Sequence, residues 1–356
     1  MVFLRLCVSK TRAFSFVSVL LGGVLSVGGF AAPQALWAAE ITGAGSSFAA
    51  PLYEAWSAAS EEQTGVRVNY QTIGSGAGQN QVLAGTVDFG ASDAPMAPEK
   101  LHKGQLLQFP TAIGGIVVIA NIPGIATEHL KLTGPVLADL YAGTITTWND
   151  PRITALNPDL TLPDLPVAPL HRADGSGTTY VFTEYLTQVA PQWRASVGKA
   201  TSVAWPLGAG ARGNDGIAAY VHNTEGSVGY VEYAYAVSNH LSAIQLQNKA
   251  GNFVMPSAQS FAKAAEAAVW AEPDLTASLN NTGGAGAWPI VTTTYALVPR
   301  AAQQSRQGKA VETFFRWGLT LGEAESRKLD YVPLPERVKA AVLQRLATGQ
   351  EQALFK

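Results

Sequence analysis

The stretch HRADGSGTTYVF, residues 171–182, places one arginine, one aspartate, two glycines and three aliphatic hydroxyls directly ahead of an apolar run. TGAGSSF (42–48) and IGSGAGQ (73–79) have a similar make-up, and each of the three precedes a helical pattern. Residues of these types suit one task, the holding of an anion. A helix start presents free N–H groups and a partial positive charge. Glycine lets the backbone approach closely, and Ser and Thr add hydroxyl donors. One such loop by itself reads as ordinary helix capping; three in one chain point to a shared anion site.

Nucleotide-binding and catalytic readings of the same residues are weaker. No G-x-x-x-x-G-K-[ST] occurs. Gly208, Gly210 and Gly213 match G-x-G-x-x-G, with Glu232 nineteen residues on, but Pro206 interrupts the strand that should precede them. Asn214 or Asp215 there reads as the cap of a helix carrying Ile217, Tyr220 and Val221. His171, Asp174 and Ser176 supply triad residue types within six positions, yet triad members converge from separate elements, and none of these serines sits in G-x-S-x-G. His102, His129, His171, His222 and His240 are scattered, without H-E-x-x-H, and the only cysteine is Cys7. Neither metal nor cofactor is expected.

One residue runs against a plain anion site. VDFGASDAPM (87–96) ends a strand pattern with Ser92 and Asp93, where open α/β sheets bind ligands. Asp93 reads either as a turn residue before Pro95 or as an acceptor for a ligand that carries a proton. Phosphate near neutral pH carries one; sulfate does not, and a buried carboxylate repels it.

The elements that must position these residues alternate between periods. Val66, Val68 and Tyr70 give a half-buried strand, and Phe48, Leu52, Trp56 and Ala59 recur at helical spacing, with Pro51 in the first turn. Residues 87–91, 114–124, 228–236 and 289–298 read as strands. Residues 257–271 and 310–322 read as amphipathic helices, and Pro135 and Gly143 bound a short one. This alternation predicts an α/β protein with open sheets. Domain boundaries are not visible in the pattern.

The chain has 356 residues. Arg5, Lys10 and Arg12 precede an apolar stretch at 13–32 and the small residues Ala35, Ala38 and Ala39, which predicts a signal peptide over 1–39 cleaved after Ala38 or Ala39. An uncleaved anchor is the alternative; glycines at 22, 23, 28 and 29 favour cleavage. All three charges lost with the leader are positive, so the remaining chain is more acidic than the whole, whose net charge is −2. That excludes a nucleic-acid partner, which needs clustered Lys and Arg. An exported chain without disulfides depends on its core, and a periplasmic location follows from the leader.

TGAGSSFAAPLYEAW, VNYQTIGSGAGQNQ, VDFGASDAPM, QFPTAIGGIVV, RADGSGTTYVFTEYL, GNDGIAAYV, GYVEYAYA and AWPI…TTTYALV, in this order over Ile41 to Leu346, closely resemble the periplasmic phosphate-binding protein of Pst-type ABC transporters. The resemblance implies a two-lobed type II periplasmic binding protein, each lobe a mixed sheet flanked by helices. Lobe one would be 40–121 plus 293–356 and lobe two 122–292, with hinge strands at 116–121 and 290–297. It implies a phosphate site of Ser47, Phe48, Ser75, Asp93, Arg172, Ser176, Gly177 and Thr178, with Asp174 orienting the arginine. It implies a monomeric receptor, not an enzyme, that delivers inorganic phosphate to an inner-membrane permease with its ATPase subunits. Alternatives are a receptor for arsenate, sulfate or molybdate, and a secreted phosphoester hydrolase. Two departures stand out: Ser47 where the family commonly has Thr, and Gly76 where a second serine often follows Ser75.

Overall fold

A computed structural model describes residues 39–271, 275–300 and 305–348. Residues 1–38 of the leader expected over 1–39, and the last residues of the expected lobe one, 349–356, lie outside them. Among the described residues the strands are β1 (Ala39–Gly45), β2 (Val66–Thr72), β3 (Phe89–Ser92), β4 (Leu106–Ala120), β5 (Lys131–Leu132), β6 (Ala168–Arg172), β7 (Ala209–Ala211), β8 (Ser227–Glu232), β9 (Gln245–Gln247), β10 (Phe253–Val254) and β11 (Val291–Pro299). Eight form one mixed sheet in the order β2-β1-β3-β11-β4-β8-β6-β7, and three form a small sheet, β10-β9-β5.

The pairing explains how distant loops meet. β1 runs parallel to β2 and β3; β6 runs parallel to β7 and β8. Between these sets lie β11, antiparallel to β3 and β4, and β4, antiparallel to β8. β4 changes partner midway: residues 106–115 pair with β11 and 116–120 with β8. The two parallel sets therefore run in opposite directions and turn their carboxyl ends toward one another. All residues of β4 and β8 are buried, which is why they read as continuous apolar runs and not as alternation.

Local chemistry sets the boundaries. The helix Ala50–Thr64 has Pro51 in its first turn and stops at Gly65, whose φ of 65° is left-handed. The expected strand at 228–236 is split: β8 ends at Glu232, whose carboxylate accepts from the Ala234 N–H at 2.9 Å and caps the helix Tyr233–Ser238. The amphipathic stretch 257–271 is helical only over Ala258–Glu266, opened by a reciprocal cap between Ser257 and Ser260. No described helix is long and apolar enough to cross a membrane.

The helix Ser75–Leu83 lies so close to β1 that a Cβ on Gly78 would fall 2.4 Å from Gly45 Cα and 2.5 Å from the Ala44 carbonyl oxygen. Both are backbone atoms and cannot swing aside. Gly78→Ala is expected to destabilise the protein by about 1–3 kcal/mol, read as a lowered thermal midpoint; an unchanged midpoint would contradict this packing.

Candidate anion-binding site

Five chain segments, each just past the carboxyl end of a strand, supply the site. β1 leads into Ser46, Ser47 and Phe48, β2 into Ser75, β3 into Asp93, β6 into Arg172 through Thr178, and β7 into the helix Gly213–Asn223 with Asn214. Ser46, Ser47, Ser75, Asp93, Arg172, Ser176, Thr178 and Asn214 are all buried. The sequence-predicted residues thus come together, although they span the chain from 47 to 178.

The geometry fixes which way the hydroxyls point. A hydroxyl has one proton and two acceptor lone pairs. Ser47 Oγ accepts from the backbone N–H of Asn214 at 3.1 Å and from its side-chain amide at 2.9 Å. Ser75 Oγ accepts from the N–H of Gly177 at 3.1 Å and of Asp93 at 3.3 Å. Thr178 Oγ1 accepts from Arg172 Nη1 at 3.4 Å and Asn214 Nδ2 at 3.5 Å. Ser176 caps the helix Gly177–Val189 by accepting from the Thr179 N–H at 3.0 Å. With N–H groups on their lone pairs, all four hydroxyls keep their protons for donation, a cluster of donors suited to an anion.

Arg172 is the site's buried cation. Its Nε and Nη2 both donate to the Asp174 carboxylate, Nε at 2.7 Å, and its backbone N–H donates to the Tyr230 hydroxyl at 3.1 Å. This fork-to-fork pairing leaves the Nη1 side of the guanidinium facing Thr178. Burial alone would raise the Asp174 carboxyl; the hydrogen bonds and charge of Arg172 outweigh it and hold it below its ordinary value.

Asp93 is the one acceptor among these donors. It is 1% exposed, and burial pushes its carboxyl up to about 6, against the pull of Ser46, Thr294, the Arg172 charge and Ser75. The turn role considered for it falls to its neighbour: Ser92 Oγ donates to the Ala94 carbonyl at 2.6 Å and accepts from Gln79 Nε2 at 2.9 Å. Asp93 instead takes the Ser46 hydroxyl, at 2.6 Å from Oδ1 and 2.8 Å from Oδ2. The Phe48 N–H is directed at Ser46 Oγ, 3.0 Å away.

The structure corrects one reading and adds two residues. Asn214 caps nothing: it lies inside the helix, where its amide joins Ser47 and Thr178 and its Oδ1 accepts from the Glu232 N–H at 3.0 Å. Ser46 and Asn214 were not in the predicted site. No spacing rule distinguishes Ser46 from Ser47, and Asn214 bonds to partners up to 167 positions away. The triad residues have other partners. His171 Nδ1 meets the Arg172 carbonyl at 3.3 Å and its ring stacks on Trp205, while Asp174 and Ser176 are occupied as described. Among the described residues no group of His, Cys, Asp and Glu could hold a metal. Gly76, the departure in the second loop, donates its N–H to the Gly175 carbonyl at 2.8 Å, and a Cβ there would press on Gly175 Cα at 3.3 Å. The close approach of the two loops leaves little room for a serine at that position.

Parallel strand sets joined by shared antiparallel strands, with donors converging from both, define the type II periplasmic binding fold. The model of the PBP superfamily domain matches residues 31–320. Two solved structures share the fold. PfluDING, a high-affinity periplasmic phosphate-binding protein solved with phosphate, has a TM-score of 0.68 at 21% identity and covers 89% of this chain and 100% of that one. The phosphate-binding protein of Stenotrophomonas maltophilia has a TM-score of 0.67 at 19% identity, covering 86% and 94%. In sequence, the phosphate-binding protein PstS of Pasteurella multocida is 50% identical over 302 residues, 85% of this chain and 88% of that one. PstS of Haemophilus influenzae is 46% identical over 314 residues, covering 88% and 94%. The chain belongs to the PstS family of phosphate-binding proteins.

Proposed function

We propose that this chain is a receptor for inorganic phosphate, acting in the periplasm as a monomer and delivering its ligand to an inner-membrane ABC permease with its ATPase subunits. The observation that carries this reading is Asp93: a buried carboxylate facing a cluster of hydroxyl and N–H donors and one arginine. Donors alone would suit any oxyanion. A carboxylate acceptor among them requires an anion that still carries a proton, which phosphate and arsenate do and sulfate does not. Ser47, Phe48, Ser75, Arg172, Ser176, Gly177 and Thr178 would donate, the N–H groups of Phe48 and Gly177 being shared between the ligand and the Ser46 and Ser75 oxygens they meet here; Asp93 would accept the ligand's proton, and Asp174 would orient the arginine. Every one of these residues acts on charge and hydrogen bonds; none is asked to break a covalent bond.

The lobes proposed for it are 40–121 with 293–356, and 122–292. Support comes from β4, which serves one set of strands with its first part and the other with its second. Closure would then be a bend about β4 and β11, stabilised by an anion that touches both sides.

Titration calorimetry with phosphate and sulfate near neutral pH tests the reading. The protein is expected to bind phosphate and to give no heat with sulfate. Asp93→Asn is expected to weaken phosphate by about ten- to a hundredfold, the loss of one charged hydrogen bond, and to gain sulfate, because its amide donates. Sulfate bound as well as phosphate by the unaltered protein would reassign the ligand. Turnover of a chromogenic phosphoester without phosphate binding would overturn the receptor.

A further inference from the structure

We infer that Ser46 is the specificity-determining positioning residue of this site: its hydroxyl holds Asp93 as a proton acceptor and so confines the site to oxyanions that carry a proton. The inference rests on the phosphate-receptor reading and goes beyond its ligand set.

Ser46 Oγ has its acceptor side facing the start of the helix Ala50–Thr64, where the Phe48 N–H lies at 3.0 Å and the Ala49 N–H at 3.4 Å. Its single proton is then left for Asp93, with both carboxylate oxygens within 2.8 Å. Were Asp93 to hold a proton on that edge, the Ser46 hydroxyl would have to turn round and aim its own proton at N–H groups that also donate. Even with the proton elsewhere the Ser46 bond would weaken, since a hydroxyl bonds an ionised carboxylate more strongly than a neutral carboxyl, so the arrangement favours the ionised form. The backbone locks the serine in place, since its N–H donates to the Ala91 carbonyl at 2.9 Å and its carbonyl accepts from the Tyr70 hydroxyl at 2.7 Å.

Of the groups that keep Asp93 ionised, Ser46 bears on it most. Arg172 on β6 is the one cation that bears on the carboxylate. Glu232 on β8 is a second buried acid, and Tyr53, Tyr70 and Tyr331 feel the Asp93 charge as repulsion. Ser75 Oγ is bonded to the Asp93 N–H. Thr294 on β11 also pulls on the carboxylate, less than Ser46 does. Without Ser46 the carboxyl would take up a proton at higher pH. Protonated Asp93 is a donor, and a donor at this position suits a fully ionised anion.

The test is calorimetry of phosphate and sulfate binding across the pH range on either side of neutrality, with the unaltered protein, Ser46→Ala and Ser46→Thr. Ser46→Ala is expected to lose phosphate affinity by about tenfold and to begin its acid-side loss of phosphate about one pH unit higher. Its phosphate-to-sulfate ratio in mildly acid buffer is expected to fall by at least about tenfold, the equivalent of one pH unit in the carboxyl. Ser46→Thr, which keeps the hydroxyl, should restore both. If Ser46→Ala does not fold, Ser46→Cys, with a weaker donor in the same place, should separate the two anions in the same direction. Equal losses for both anions with an unchanged pH profile would overturn the role of Ser46 alone. Failure of the unaltered protein to bind phosphate would overturn the receptor reading and this inference with it.

Discussion

Arg172→Ala is expected to weaken phosphate binding by about a hundred- to a thousandfold, the range for deleting one member of a buried, hydrogen-bonded charge pair. Two losses combine. The ligand loses the cation beside the Asp93 carboxylate, and Asp174 loses both of its charge-assisted bonds. The stranded Asp174 is half the argument, because an unpaired carboxylate at the mouth of an anion site repels the anion. Arg172→Lys should recover only part of the affinity, since an ammonium cannot bond Asp174 through a fork and reach a ligand at the same time. Calorimetry checks this, with a thermal melt in the absence of phosphate to separate binding from folding. A tenfold loss or less in a folded Arg172→Ala would mean that the donors, not the arginine, hold the anion.

Gly177→Ala should cost at least about a hundredfold in phosphate affinity, the scale of loss for a misplacement of about 1 Å. A Cβ at this position would fall 2.6 Å from both Asp93 Oδ2 and Ser75 Oγ, and 2.7 Å from Asp93 Cβ. Ordinary contact begins at 3.4 Å, so the helix start at 177 and the Asp93 turn must separate by most of an ångström. The Gly177 N–H to Ser75 bond is lost, and donors and acceptor no longer share one focus. The backbone angles of Gly177 need no glycine; the crowding does. Retained affinity in this variant would show that the two sides do not approach as closely in solution.

Much of this site was legible from residues, for a physical reason. Loops of glycine and hydroxyl residues before helices advertise anion donors locally, and Asp93 at a strand end stood out because it broke their uniform chemistry. Ser46 and Asn214 were not legible. Two adjacent serines at 46 and 47 are equivalent in sequence, yet the turn after β1 sends one hydroxyl to Asp93 and the other to Asn214. Asparagine near a helix start ordinarily reads as its cap. Long-range bonding overrode that preference. The stretch 228–236 misled for a related reason: its aromatic and β-branched residues favour a strand, but Glu232 can cap a helix with its own side chain, and the chain turns there. Strand existence is readable over 114–120 of β4 and along β11, but not over 106–113, and their partners are not readable, because pairing at this separation leaves no periodic trace.

The position of β11 also bears on how the chain comes to be folded. This late strand lies in the sheet between β3 and β4, two of the early ones, and Thr293 bonds the Ala112 carbonyl across 181 positions of sequence. A ribosome needs about ten to forty seconds to cover that distance. Until it has done so, β3 and β4 each present an open edge, and the half of the sheet that bears Ser47, Ser75 and Asp93 has no middle strand. Such delayed, non-local pairing makes folding slow. Topology thus ties closure of the sheet to a strand made late: β3 and β4 are first bridged once residue 299 has been added.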